Sequence, residues 1–314
     1  MKKDTKWKRY FDDNSRYADI INGIGCKGVQ LIKSEDLREE DSEAEGKARD
    51  LLRRVAMGMN FALVGIENQE EVDYEFPLRN MGYDVARYQK QAKVIGKEVR
   101  SNPEGLDSGE YLYGFKKDSR LNPIITFLLY YGEEPWEGPT SLHDMLDFRN
   151  IPESLQEMTP NYNIKVIDVR RFEDTSVFQT DVKQVFEFIR CSEDKKKLAD
   201  LVNHDAYFQS MDEAAFDVVS NYTRSKELVK VKEYERKDGK YNMCKAIQDM
   251  IEEGREEGKA SGILQNKLEN ARNLLDVLED EVIAEKIGLP IEKVKELRKS
   301  EFANMDLHLQ EKRC

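Results

Sequence analysis

Six consecutive apolar positions, Phe61-Ala62-Leu63-Val64-Gly65-Ile66, run straight into Glu67-Asn68-Gln69. A short, nearly continuous apolar run fits a strand buried on both faces. Side chains alternate along a strand, so Glu67 and Gln69 point to the same side. A second such run, Pro123 to Tyr131, closes at Gly132, and Asn163 to Val169 alternates around Val166 and Ile167 as a third strand.

Between the first two strands the period changes. Leu78, Met81, Val85, Tyr88, Ala92 and Ile95 form a helical stripe, started by Pro77 in the first turn, where proline is favoured. Arg79, Tyr83, Arg87 and Gln91 step along a neighbouring face at intervals of four. That face could present donors to a phosphodiester, or be a solvated face with intrahelical pairs. Tyr17 to Ile24 reads as a short helix ended by glycines, with Asp19 off its apolar side. Ser141 to Phe148 and Val177 to Arg190 also read as helices, and Ser101 to Gly109 as a loop. From Ser42 to Arg54 the pattern suits a helix as well as a strand. Strands alternating with helices predict an α/β sandwich.

Beyond Ala206 the signals are helical throughout. Gly254, Gly258 and Gly262 fall along one helix flank in a heavily charged stretch, which suits a partner helix from this chain or a second copy. Residues Val282 to Val294 read as helix, glycine cap and proline-started helix. This helix-turn-helix outline lacks a run of Arg, Asn or Gln along a recognition face, so a packing hairpin explains it better than a DNA reader.

At 314 residues the chain is long for one domain, which predicts a large domain with an appendage or two domains. A formal net charge of −12 argues against a charge-driven coating of nucleic acid or anionic membrane, because phosphate affinity rests on Lys and Arg. An enzyme that reaches phosphates through a metal ion is not excluded by it. His143, His204 and His308 stand far apart, without the paired spacings of zinc sites. Cys26, Cys191, Cys244 and Cys314 show no C-x-x-C pair. Reduced thiols, the absence of an apolar leader and the absence of a membrane-length apolar segment lead to the expectation of a cytoplasmic protein without a membrane partner.

The candidate chemistry lies in Asp50 and Glu67, two carboxylates around the first apolar run. Such acids on adjoining strands can bind a hard divalent cation that activates water beside a phosphate. A surface Asp50 and a solvent-facing, strand-end Glu67 fit the same spacing.

The wider context narrows the choice. Arg49-Asp50, Leu63-Val64-Gly65-Ile66-Glu67-Asn68-Gln69, Pro77-Leu78-Arg79-Asn80-Met81-Gly82-Tyr83-Asp84 and the Tyr88-x-x-Gln91 step resemble the recombination-promoting nuclease (Rpn)/putative transposase family of the PD-(D/E)XK phosphodiesterase superfamily. Leu129-Tyr130-Tyr131-Gly132, Pro135-Trp136 and Ser141-Leu142 continue the likeness. No proline precedes Asp50, so the Pro-Asp pair that gives the superfamily its name is missing.

The resemblance implies a restriction-endonuclease-like core, a mixed central sheet flanked by helices, over residues 10–205, followed by a helical C-terminal region over 206–314. It implies a metal-dependent DNA endonuclease linked to recombination or mobile elements. Asp50 and Glu67 would hold Mg²⁺, for which Mn²⁺ could substitute, and Asp19 would complete the shell. Gln69 takes the place of the superfamily's lysine; it can orient a water but carries no positive charge. Arg79, Tyr83 and Gln91 are the expected substrate contacts, DNA is the expected partner, and the C-terminal helices could join copies of the chain. The alternative is a DNA-associated or regulatory protein on a nuclease-like scaffold that does no catalysis.

Overall fold

The computed structural model describes residues 3–41, 43–44, 47–48, 50–57, 60–222 and 238–300. Ser42, Arg49, His308 and Cys314, weighed above, lie outside them.

The chain opens with two helices, α1 (Lys3–Tyr10) and α2 (Asn14–Ile20), the second running into a π-helical turn, Ile21–Gly25. α1 went unread in the sequence because its apolar side is aromatic and sits among lysines. Trp7, Tyr10 and Phe11 are fully buried, with Trp7 stacked on Phe11 at 5.4 Å and on Tyr131 at 5.6 Å. Its indole N–H donates to the Tyr222 hydroxyl at 2.9 Å, so the ring is both packed and satisfied.

Strand β1 (Leu37–Glu39) is followed by a small ladder, β2 (Glu43–Ala44) with β3 (Lys47–Ala48), and by the hairpin β4 (Leu51–Met57) and β5 (Asn60–Gln69). Helix α3 (Phe76–Ser101) and the short α4 (Ser108–Tyr113) lead to β6 (Ile124–Tyr130). α5 (Glu153–Met158) precedes β7 (Lys165–Asp168). The five-stranded sheet has the order β1-β4-β5-β6-β7. β1, β4 and β5 pair antiparallel, whereas β5, β6 and β7 pair parallel, so the sheet is mixed.

The stretch around β4 is ambiguous in sequence because it carries Arg53 at a core position. Only 4% of Arg53 is exposed, and its charge is met by Asp12 at 2.8 Å while the guanidinium lies 5.4 Å from the Tyr17 ring centroid. A buried cation with such partners is tolerated, but it erases the alternation that marks a strand.

Helices α6 (Val182–Cys191), α7 (Lys195–His204) and α8 (Glu213–Ser220) complete the first compact unit, Met1–Lys245. α6 buries Val182, Val185, Phe186, Phe188 and Ile189 on one side. Arg16 on α2 donates to both carboxylate oxygens of Asp181, at 2.8 and 2.7 Å, and to Asp212, and lies 4.2 Å from the centroid of the Tyr10 ring. Tyr10 and Tyr207 also donate to Asp181. This network joins α2 to the start of α6 and to α8. Residues 206–222, assigned to the C-terminal region from the sequence, therefore lie in the first unit.

The second unit, Ala246–Cys314, contains most of α9 (Met243–Arg272), α10 (Asp280–Ile287) and a helical segment over 291–300. Ala271, Leu275, Ile283, Leu289, Val294 and Leu297 form its core. Gly288 ends α10 at φ 68°, a left-handed cap that suits glycine. Arg298 donates to the Leu275 and Leu278 carbonyls and to Asp280 at 2.6 Å, tying the last helical segment to the turn between α9 and α10. No described helix is long and apolar enough to cross a membrane.

Candidate active site

The β4–β5 register pairs Leu51 with Ile66. One residue further out, Asp50 faces Glu67, and opposed residues on antiparallel strands share a face. The two acids are held by an exchange with the backbone. The Asp50 N–H donates to Oε1 of Glu67 at 3.3 Å, and the Asn68 N–H donates to Oδ2 of Asp50 at 2.9 Å. Glu67 is only 4% exposed, so the expectation of a solvent-facing strand end is wrong for this residue.

Sequence reasoning missed one member of the site. Nζ of Lys8, on α1, lies 2.8 Å from Oδ1 of Asp50. The neighbouring Trp7 fixes that helix against Tyr131, and the Tyr131 N–H donates to the Gln69 carbonyl at 3.1 Å. A lysine far away in sequence is thus brought to the acids by the aromatic packing of α1. The signal was the Trp7-x-x-Tyr10-Phe11 pattern, which marks a buried helix face but says nothing of what it packs on.

Gln69, half-buried at the end of β5, shares the Glu67 face through strand alternation. Asn68 points the opposite way. It is 5% exposed, and neither its Oδ1 nor its Nδ2 makes a hydrogen bond. A buried amide left this way costs about 1–3 kcal/mol, and such groups in native proteins call for an explanation.

Asp19, Gln91 and Arg79 make contacts with other residues. The Asp19 carboxylate accepts from the Gln179 N–H at 2.9 Å and from the Thr180 N–H at 2.7 Å, and also from the Thr180 hydroxyl. It fastens α2 to the segment before α6. Gln91 is equally occupied: its Oε1 accepts from the Asn122 N–H at 2.8 Å and its Nε2 donates to the Asn122 carbonyl at 3.2 Å. Tyr88 accepts from the Ile124 N–H at 3.2 Å, so the Tyr88-x-x-Gln91 step pins α3 to the start of β6. Arg79 pairs with Asp73 at 2.7 Å and lies 5.1 Å from the Phe76 ring centroid. Tyr83 is half-buried one turn further along α3.

Two carboxylates on one face suit a hard, oxygen-seeking cation. Mg²⁺ commonly takes one or two carboxylates and keeps several waters, so Asp50 and Glu67 fit it as an open site. Among the described residues, no group of three or more His, Cys, Asp and Glu side chains could hold a metal ion, so a closed protein cage is not built here.

A mixed five-stranded sheet with flanking helices, bearing an acid pair at the end of its central hairpin, defines an α/β protein of nuclease-like fold. Residues 35–215 match the family described as "Putative transposase, YhgA-like", and the chain belongs to that family. No curated protein and no solved structure matches it.

Proposed function

We propose that the protein is a metal-dependent DNA endonuclease of the cytoplasm that hydrolyses phosphodiester bonds in the context of recombination or mobile elements. The observation that carries this reading is the reciprocal hold of Asp50 and Glu67, with Lys8 against Asp50. Membership of a family described as transposases supports DNA as the partner.

Asp50 and Glu67 would hold Mg²⁺, or Mn²⁺ in its place. When bound, the cation supplies Lewis-acid polarisation of a phosphoryl oxygen and a water of lowered pKa. The chain's own residues do the rest. Lys8 places a positive charge at the acids, where the uncharged Gln69 cannot, and so stabilises negative charge that builds on the phosphate. Gln69 offers both a donor and an acceptor to orient the attacking water. The backbone N–H groups of Asp50 and Asn68 hold the carboxylates in place and aimed.

The test is cleavage of plasmid DNA by the purified chain with Mg²⁺. Asp50→Ala and Glu67→Ala each abolish cleavage on this reading; full activity in either variant sinks the assignment.

A second reading, a DNA-associated regulator acting through its C-terminal helices, draws on α9. A Cβ placed on Gly254, Gly258 or Gly262 would meet nothing within 4 Å, and Ile263 and Leu264 are exposed nearby. This side of α9 suits association with a second copy. A titration with no Mg²⁺ or Mn²⁺ site would favour that reading over the enzyme.

A further inference from the structure

We propose that the face formed by α3, α4 and the loop leading into β6 binds an unpaired DNA strand beside the acid pair, an inference that rests on the phosphodiesterase reading. The charge of this face runs against that of the chain. Residues 76–101 contain six Lys and Arg against two Asp and Glu, in a protein of net charge −12. Lys90, Lys93, Lys97 and Arg100 fall in the second half of the helix, with Arg87 just before it, and Lys116, Lys117 and Arg120 follow in the loop around Asp118.

The cations line a cleft. Arg54, Arg87, Lys90 and Arg120 surround a cavity of 260 Å³ floored by Leu63 and by the Gln91–Asn122 pair. Glu40 and Asp41 offset part of this charge: Arg54 pairs with Glu40 at 2.8 Å and Lys90 with Asp41 at 3.0 Å. Arg120 is exposed and, among the described residues, donates to carbonyls of its own loop, Lys117 and Ser119. Its charge stays available to a phosphate.

Helix α4 adds exposed aromatic surface. Tyr111, Leu112 and Tyr113 on α4 are 58%, 67% and 78% exposed, three large apolar side chains in a row. Their helix is held tightly against α3. A Cβ on Gly114, at φ 67°, would lie 3.1 Å from the Gly96 Cα and closer still to the Arg100 guanidinium. The residue that follows Tyr113 therefore lies against Gly96 and Arg100, on the cationic half of α3. Exposed rings beside a cationic track suit single strands, whose bases stack on aromatic side chains while their phosphates meet Lys and Arg. A duplex keeps its bases inside and would leave the rings unused.

The cleft is also correctly placed for a strand that reaches the acids. Leu63 and Glu67 lie on the same face of β5, four residues apart, which is about 13 Å along the strand. A few nucleotides span that distance.

The experiment measures binding of a labelled single-stranded oligonucleotide to the full chain in EDTA, so that cleavage does not intervene, and cleavage separately with Mg²⁺. Lys90→Ala with Arg120→Ala should lower the magnitude of the log–log salt slope by about 1.4, two phosphate contacts of a single strand. Tyr111→Ser with Tyr113→Ser should weaken binding about tenfold and leave the slope unchanged. Circular dichroism checks that these surface variants fold. The surface is overturned if the wild type does not bind the oligonucleotide, if all variants bind and cut as it does, or if the face binds anionic phospholipid vesicles and not DNA. Binding lost in the variants of a chain that never cuts DNA would keep the surface and remove the phosphodiesterase reading.

Discussion

Lys8 and Asp50 form an ion pair of 2.8 Å between the first helix and the residue that opens β4. The lysine neutralises the acid and, on the metal-dependent reading, would compete with the cation for it. Lys8→Met should therefore have opposite effects on two measurements. Mg²⁺ affinity by isothermal titration rises, because one positive charge leaves the acid pair. DNA cleavage falls by about 10²–10³-fold, the usual cost of losing a donor to developing charge. A variant with tighter metal binding and undiminished cleavage would remove Lys8 from the mechanism.

Arg16 is almost wholly buried, and its charge is spent on Asp181 and Asp212. Arg16→Ala leaves those carboxylates and the Tyr10 and Tyr207 hydroxyls around an empty space. The expected loss is about 3–5 kcal/mol of stability, the cost of breaking a buried ion pair from one side. Urea unfolding of the variant measures it.

Gln91 and Tyr88 are expected to act on stability, not on substrate. Gln91→Ala strands the Asn122 N–H and should cost about 1–3 kcal/mol. Tyr88→Phe removes the acceptor of the Ile124 N–H and should cost less. Thermal unfolding reports both, and cleavage per folded molecule stays within a small factor of the wild type. A loss of cleavage with unchanged unfolding would return Gln91 to the substrate.

Asp13 caps α2 by accepting from the Ser15 N–H at 2.7 Å. Burial pushes its pKa up, but the hydrogen bonds from the Ser15 hydroxyl and backbone outweigh this and hold it below its ordinary value of 3.8. A folded-state pKa that is depressed means stability present above the ordinary value and lost as pH falls through the lower one. Asp13→Ala should cost about 1 kcal/mol near neutrality, the worth of such a cap. The difference from wild type closes only below pH 3.8, which acid titration of unfolding can follow.

Gly258→Leu tests the outward side of α9. With nothing within 4 Å of a Cβ there, the chain itself accommodates the side chain and the helix gains by losing a glycine. If this side of α9 joins two copies, sedimentation should show a self-associating wild type and a monomeric variant. Unchanged assembly would place the contact elsewhere.

Wherever burial was written in plain apolar runs, the fold was readable in advance. The β5 and β6 strands appear as their residues predict, because each is a continuous apolar run, whereas the Pro77-started α3 forms but does not bury its predicted stripe: Leu78 and Val85 are exposed, and Asn80, Asp84, Ala86 and Arg87 are buried instead. β4 was hidden by Arg53, whose solvation is replaced by Asp12 and the Tyr17 ring, partners that spacing does not reveal. The pairing of Asp50 with Glu67 depends on hairpin register, and Lys8 depends on where three aromatic residues pack. Asp19 and Gln91 are hard to read for the opposite reason. A carboxylate or an amide in a motif looks the same whether it meets a ligand or a backbone N–H, and here both meet backbone.

The helix that carries Lys8 lies outside residues 35–215, the part of the chain that the family pattern covers. A fragment trimmed to that boundary would keep Asp50, Glu67 and Gln69, yet it would lose Lys8, which pairs with Asp50, and the Trp7 ring that seats its helix. Homology-guided trimming of this protein would thus discard half of an electrostatic pair, and Asp50 in the fragment would no longer be the Asp50 of the full chain.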